Sequence, residues 1–119
     1  MSRQRGDAAE SAVVKFLELR GYTIVARNFA CRWGEIDIIA TVDRPLCFVE
    51  VRMKSSSVWG DPSQTVTFSK QRKIVKTALY YLARHPAAAQ MLRFDVVAVI
   101  GGGESPQIDH LPNAFEAGM

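Results

Sequence analysis

Two acidic residues interrupt apolar runs: Asp37 stands between Ile36 and Ile38, and Glu50 between Val49 and Val51. Side chains alternate across a strand, so Glu35, Asp37 and Ile39 share one face of the first run, and Phe48, Glu50, Arg52 and Lys54 one face of the second. Asp43, Arg44 and Pro45 between them supply turn chemistry, which predicts a β-hairpin. A turn centred between Asp43 and Arg44 opposes Ile39 to Phe48, Asp37 to Glu50, and Glu35 to Arg52. Directly opposed Cβ atoms lie roughly 4.5–5.5 Å apart, and two carboxylates at that spacing destabilise each other unless a positive charge intervenes. That charge is Arg52 or Lys54, a proton shared between the acids, or a divalent metal ion with oxygen ligands. Magnesium suits the last case, because it takes one or two carboxylates together with phosphate oxygens and water.

A third carboxylate, Glu10, flanks the apolar stripe of the first amphipathic segment, close in helical angle to Val14 and Leu17, and is expected to face the sheet. Three acids and a basic residue at the open end of a hairpin are what metal-assisted phosphodiester hydrolysis uses. The metal lowers the pKa of a bound water and draws charge from the phosphate, while the cation stabilises developing negative charge. Plainer roles compete: Glu10 also suits a helix N-terminus, and Glu35 with Arg52 also suits a cross-strand ion pair. Asp37 facing Glu50 among branched apolar residues is harder to read as surface decoration. Lys70, Arg72, Lys73 and Lys76 lie opposite Val75, Ala78 and Leu82, forming either a phosphate-facing ridge or a solvated face. Trp33 and Trp59 flank the hairpin, where an aromatic ring either stacks on an unpaired base or caps the core. Asp95, between Phe94 and Val96, is expected to pair with a basic neighbour.

The elements that must hold these residues follow from periodicity. Ala9, Ala12, Val13, Phe16 and Leu17 recur at helical spacing, predicting a helix over 7–20 that Gly21 stops. Strands are predicted over 22–27, 35–41 and 46–54, with Gly60, Asp61 and Pro62 in a loop beyond them. Ile74, Val75, Ala78, Tyr81 and Leu82 mark a second helix over 69–84, ended by Pro86. The nearly continuous apolar run over 94–100 reads as a central strand covered on both faces, and 107–111 as a short edge strand. The order α-β-β-β-α-β, with that edge strand, predicts an α/β fold in which a small mixed sheet is flanked by helices.

The chain of 119 residues fits one domain. Residues 1–5 and 112–119 are expected to be flexible tails. With 48% hydrophobic and 23% charged residues and no long apolar run, the composition is that of a soluble globular protein, not a membrane span. No apolar segment follows Arg3 and Arg5, so no secretory signal is read and the cytoplasm is the default. Cys31 and Cys47 are too few for a disulfide framework and lack zinc-binding spacing, so both are read as reduced and without function. His85 and His110 stand far apart, and neither is assigned a catalytic role. Up to Arg93 there are fifteen basic against eight acidic residues, and beyond it four acids and no base. A basic body of this kind suits a polyanion, or is simply a solvated surface.

The run Gly34-Glu35-Ile36-Asp37-Ile38-Ile39-Ala40, followed by Phe48-Val49-Glu50-Val51-Arg52, resembles the signature of the YraN-type family of uncharacterised bacterial proteins. The likeness extends to Gly6, Ala9 and Glu10, to Gly21-Tyr22, Arg27-Asn28, Lys70 and Ala78, and to Phe94-Asp95-Val96-Val97. That family is similar to the PD-(D/E)xK nucleases, whose small members include archaeal Holliday-junction resolvases. The resemblance implies a restriction-endonuclease-like core, with Asp37 as the motif aspartate, Glu50 as the motif glutamate and Glu10 as the helix-borne acid. It also implies Mg2+ or Mn2+ held by Asp37, Glu50, Glu10 and the Val51 carbonyl, branched or damaged DNA as substrate, and a homodimer as a possible assembly. Ile36 replaces the motif proline. Arg52 replaces the motif lysine, and arginine stays charged and cannot serve as a general base. Lys54, further along the same face, offers an ammonium instead. The leading expectation is therefore a metal-dependent deoxyribonuclease. The alternatives are a nucleic-acid-binding module that has lost catalysis, and a protein-interaction domain presenting the basic helix and the tryptophans.

Overall fold

A computed structural model describes residues 3–54, 66–86, 91–101 and 105–117. Trp59 and the 60–62 turn lie outside the described residues. Helix α1 (Arg3–Leu19) leads into β1 (Thr23–Cys31), β2 (Gly34–Thr41) and β3 (Pro45–Lys54). Helix α2 (Phe68–Arg84) then precedes β4 (Met91–Ile100) and β5 (Gln107–Phe115). The strands form one sheet in the order β1-β2-β3-β4-β5, parallel only between β3 and β4, where α2 makes the crossover. This is a small restriction-endonuclease-like fold with one helix on each face.

Each face has its own core. Ala9, Val13 and Leu17 of α1 pack on Ile38, Ala40, Cys47, Val49, Val97 and Val99, while Ile74, Val75, Ala78 and Tyr81 of α2 pack on Ile36, Ile39, Leu46, Phe48, Phe94 and Val96. Burying a side chain such as Leu17 stabilises the fold by about 1.5–3 kcal/mol. Gly21, at φ 91, closes α1, with the Tyr22 amide returning to the Leu17 carbonyl at 3.0 Å. Thr67 caps α2 by accepting from the Lys70 amide. Among the described residues no helix is long and apolar enough to cross a membrane.

Three expectations need correction. The helix expected from Asp7 begins at Arg3. The first strand does not end at Arg27 but runs to Cys31, because Asn28 takes the left-handed conformation (φ 53) that asparagine tolerates and the strand twists through it. The edge strand likewise continues to Phe115, so 112–115 is not a tail. Asn113, again left-handed at φ 55, carries it across a register shift between Phe94 and Val96.

Gly34 opens β2 at φ +152, and a Cβ there would stand 3.2 Å from the Thr77 Oγ1 of α2. The buried Thr77 hydroxyl is itself fixed, donating to the Lys73 carbonyl at 2.8 Å. Gly34→Ala is therefore expected to lower stability by about 1–3 kcal/mol through backbone strain and overpacking, read as a fall in the urea midpoint.

Candidate active site

The β2–β3 ladder has the register expected from the turn, Ile39 against Phe48 and Ile38 against Val49, and ends there. Alternation along β2 changes step at this point, since Ile36 and Ile39 both enter the α2-side core while Ile38 enters the other. On the neighbouring strand, Asn28 sits between the pairs Arg27–Ile38 and Phe29–Ile36, beside Asp37. Where the two strands part, the Asp37 side chain takes over as partner, its Oδ2 accepting from the Val51 amide at 2.8 Å. That bond fixes the carboxylate against β3.

Glu50 is buried, and its Oε2 lies 3.5 Å from Arg52 Nη1 and 3.7 Å from Lys70 Nζ. The carboxyls of Asp37 and Glu50 come within hydrogen-bonding reach. Burial first, and then the Glu50 charge, push the Asp37 pKa up to about 7, against the opposing Val51 amide. The backbone ladder thus stops short of these two residues, yet their side chains converge.

Glu10 reaches the same region from α1. It is 9% exposed, and its Oε1 is buried without a hydrogen-bond partner among the described residues. Burial and the nearby Asp37 charge raise its pKa, while Asn28 and Arg27 oppose the rise. Arg27 Nη2 lies 3.7 Å from Glu10 Oε1 and also donates to the Ser11 hydroxyl, a placement the sequence reading did not anticipate.

Among the described residues no three or more His, Cys, Asp or Glu side chains cluster tightly enough to form a ready-made metal cage. The Asp37–Glu50 pair nevertheless offers the hard-oxygen, two-carboxylate set that magnesium uses when phosphate and water complete its shell. Glu10 Oε1, which accepts no hydrogen bond among the described residues and has the Arg27 guanidinium at 3.7 Å, adds a third acceptor beside it. The residues present therefore fit such an ion.

The remaining residues divide. Arg52 turns to Glu50, and the β2–β3 ladder ends at Ile38 and Val49 before it reaches Glu35, so the cross-strand Glu35–Arg52 pair does not form. Lys54, half-buried at the end of β3, has no ion-pair partner among the described residues. Lys70 belongs with the acids, not with a solvated face, whereas Arg72, Lys73 and Lys76 are exposed. Val51 engages Asp37 through its amide.

A second polar cluster escaped the sequence reading in part. Asp95 is fully buried and accepts from Arg93 Nε and Nη2 (2.9 and 2.8 Å) and the Asn113 amide (3.0 Å), with His110 Nε2 at 2.8 Å. Arg93 also donates to the Tyr22 hydroxyl at 2.6 Å. A basic neighbour was expected for Asp95, and Arg93 is the one that the strand supplies. His110 was not, because only the β4–β5 pairing brings it there. Burial pushes the neighbouring Cys47 thiol up to about 11, in keeping with an inert cysteine, and both cysteines are free.

The family model described as Uncharacterised protein family UPF0102 matches residues 9–99, a span that holds Glu10, Asp37, Glu50 and Asp95. A UPF0102 protein of Myxococcus xanthus is 52% identical over 117 residues, covering 98% of this chain and 93% of its own. A UPF0102 protein of Geobacter metallireducens is 44% identical over 115 residues (97% and 94%), and one of Persephonella marina 38% over 112 (94% and 93%). Identity at this level along nearly the whole length places the chain in the UPF0102 family.

Proposed function

We propose that the protein is a magnesium- or manganese-dependent nuclease that hydrolyses DNA phosphodiesters, with branched or damaged DNA as the substrate class its resemblance to junction resolvases suggests. The observation that carries this reading is the contact of two carboxyls, Asp37 and Glu50, at the point where the β2–β3 ladder opens. Asp37 and Glu50 would hold the ion, with the Val51 carbonyl and Glu10 beside them. Bound there, the ion supplies Lewis acidity and a water of lowered pKa.

The chain's own residues position and neutralise. The Val51 amide keeps Asp37 in one orientation. Arg52 and Lys70, both within 3.7 Å of Glu50 Oε2, place positive charge where a phosphate approaches and where negative charge develops. Arg52 stabilises that charge without removing a proton, since a guanidinium stays protonated.

The test is cleavage of labelled four-way junctions, flaps and single strands in magnesium and in manganese. The wild type is expected to cut, and Asp37→Ala and Glu50→Gln each to lose at least about 100-fold in rate. Cleavage unchanged in Asp37→Ala would assign the activity to a contaminant or another site.

A second reading, nucleic-acid binding without hydrolysis, is favoured by one observation: Arg52 and Lys70 already neutralise Glu50 within the chain. It requires salt-sensitive binding that magnesium does not alter, and no product with any substrate.

A further inference from the structure

Helix α2 carries five Lys or Arg residues and no Asp or Glu. Three of its lysines run in file alongside β2. Lys70 Nζ lies 3.7 Å from Glu50 Oε2. Lys73, one turn on, packs where Gly34 lets β2 approach the helix, its Cβ 3.7 Å from where a Gly34 Cβ would be. Lys76 Nζ stands 5.2 Å from the centroid of the Trp33 ring. The file thus begins at the acids and ends at an indole in the two-residue turn between β1 and β2. Trp33 is 40% exposed, and the Arg32 guanidinium lies 4.7 Å from its ring.

Trp33 immediately precedes β2, which carries Asp37 four residues further along the chain. At about 3.3 Å per residue that is about 13 Å, the length of about four nucleotides at the 3.4 Å rise of a stacked strand. A cationic row matches the charge of a phosphodiester backbone, and nothing acidic on α2 opposes it. An exposed ring at its end matches the face of a base. Inside a duplex those faces are covered by neighbouring base pairs, so away from its ends only an unpaired base can stack on the indole.

We propose that this face binds a single-stranded segment of nucleic acid, with phosphates along Lys70, Lys73 and Lys76 and one unpaired base stacked on Trp33. The proposal rests on the functional reading above for the class of partner, and it names the form of nucleic acid selected: one with an unpaired stretch beside the scissile bond.

The test separates binding from hydrolysis. In an Asp37→Asn, Trp59→Phe protein kept in EDTA, Trp33 is the single tryptophan. Its fluorescence is expected to be quenched by a short oligothymidine and little affected by a short blunt duplex. In polarisation assays Trp33→Ala should weaken oligothymidine binding about tenfold or more and duplex binding by less than about twofold, while Trp33→Phe restores most of the loss. Lys73→Gln with Lys76→Gln should weaken both and flatten the log–log salt dependence by about one to two. Unquenched Trp33 in a saturated complex, or equal losses for single strand and duplex in Trp33→Ala, overturns the proposal. So does absence of nucleic-acid binding at low salt while an acidic peptide binds. Quenching by oligothymidine with no cleavage by the wild type in magnesium supports this proposal and removes the hydrolytic one. Cleavage with no dependence on Trp33 does the reverse.

Discussion

Asp37→Asn should yield a protein that is inactive with metal yet more stable than the wild type without it at pH 8. The Asp37 pKa stands at about 7 in the fold against 3.8 for an ordinary aspartate, so between those values the folded state holds a proton that the unfolded chain has lost. The stability tied to that proton is complete below about pH 4 and is lost as the pH rises through about 7. A gap of this size corresponds to up to about 4 kcal/mol, shared with Glu50 because two touching carboxyls titrate together. Asparagine keeps an oxygen for the Val51 amide and gives Glu50 a donor in place of a second charge, so it imitates the protonated pair at every pH.

Thermal melts in EDTA at pH 5 and pH 8 test this directly. The wild type is expected to lose stability between the two relative to Asp37→Asn, with the variant melting about 5–10 °C higher at pH 8. Added magnesium should reverse the order, raising wild-type stability by about 2.7 kcal/mol at a hundred times its Kd and leaving Asp37→Asn unmoved. A difference between the two proteins that does not change with pH would refute the charge-conflict account of the pair.

Asp95→Ala should have the largest purely structural effect. One fully buried carboxylate accepts from Arg93 twice and from the Asn113 amide, and pairs with His110. Removing it strands a guanidinium that is 21% exposed, a largely buried imidazole and an amide, a loss of about 3–5 kcal/mol. Folds of this size are typically stable by only about 5–15 kcal/mol, so the variant should sit close to its unfolding threshold. Burial alone would raise the Asp95 pKa, but the bonds from His110, Arg93 and the Asn113 amide outweigh it and hold it below the ordinary aspartate range. Its contribution is therefore present above about pH 4 and is lost only as the pH falls below that toward the lowered value. Urea denaturation at pH 7 should show the full gap between wild type and Asp95→Ala, and at strongly acid pH the gap should shrink. A loss of less than about 1 kcal/mol at pH 7 would mean that water or a rearranged loop satisfies the stranded donors.

Much of the architecture was legible because local chemistry and tertiary pairing agree. The apolar spacing of Val13 and Leu17, and of Ile74, Val75 and Ala78, marked the helices and the faces they bury. The Asp43-Arg44-Pro45 turn set the β2–β3 register, since a hairpin's pairing follows from its turn. That register was enough to bring Asp37 toward Glu50. Strand ends were less legible: Asn28 and Asn113 look like terminators, and the twisted sheet carries the chain through both in the left-handed conformation.

The sequence by itself determined the hairpin and the two acids it brings together, because residues a few positions apart meet through strand geometry alone. Only the tertiary structure decided what surrounds them. Lys70 against Glu50, Arg27 against Glu10, His110 against Asp95 and Lys76 over Trp33 all join elements whose separation along the chain carries no signal of their contact. The physical reason is that such contacts depend on which face of the sheet each helix covers and at what angle. Apolar burial fixes that arrangement by summing over the whole core, and no single residue reports it.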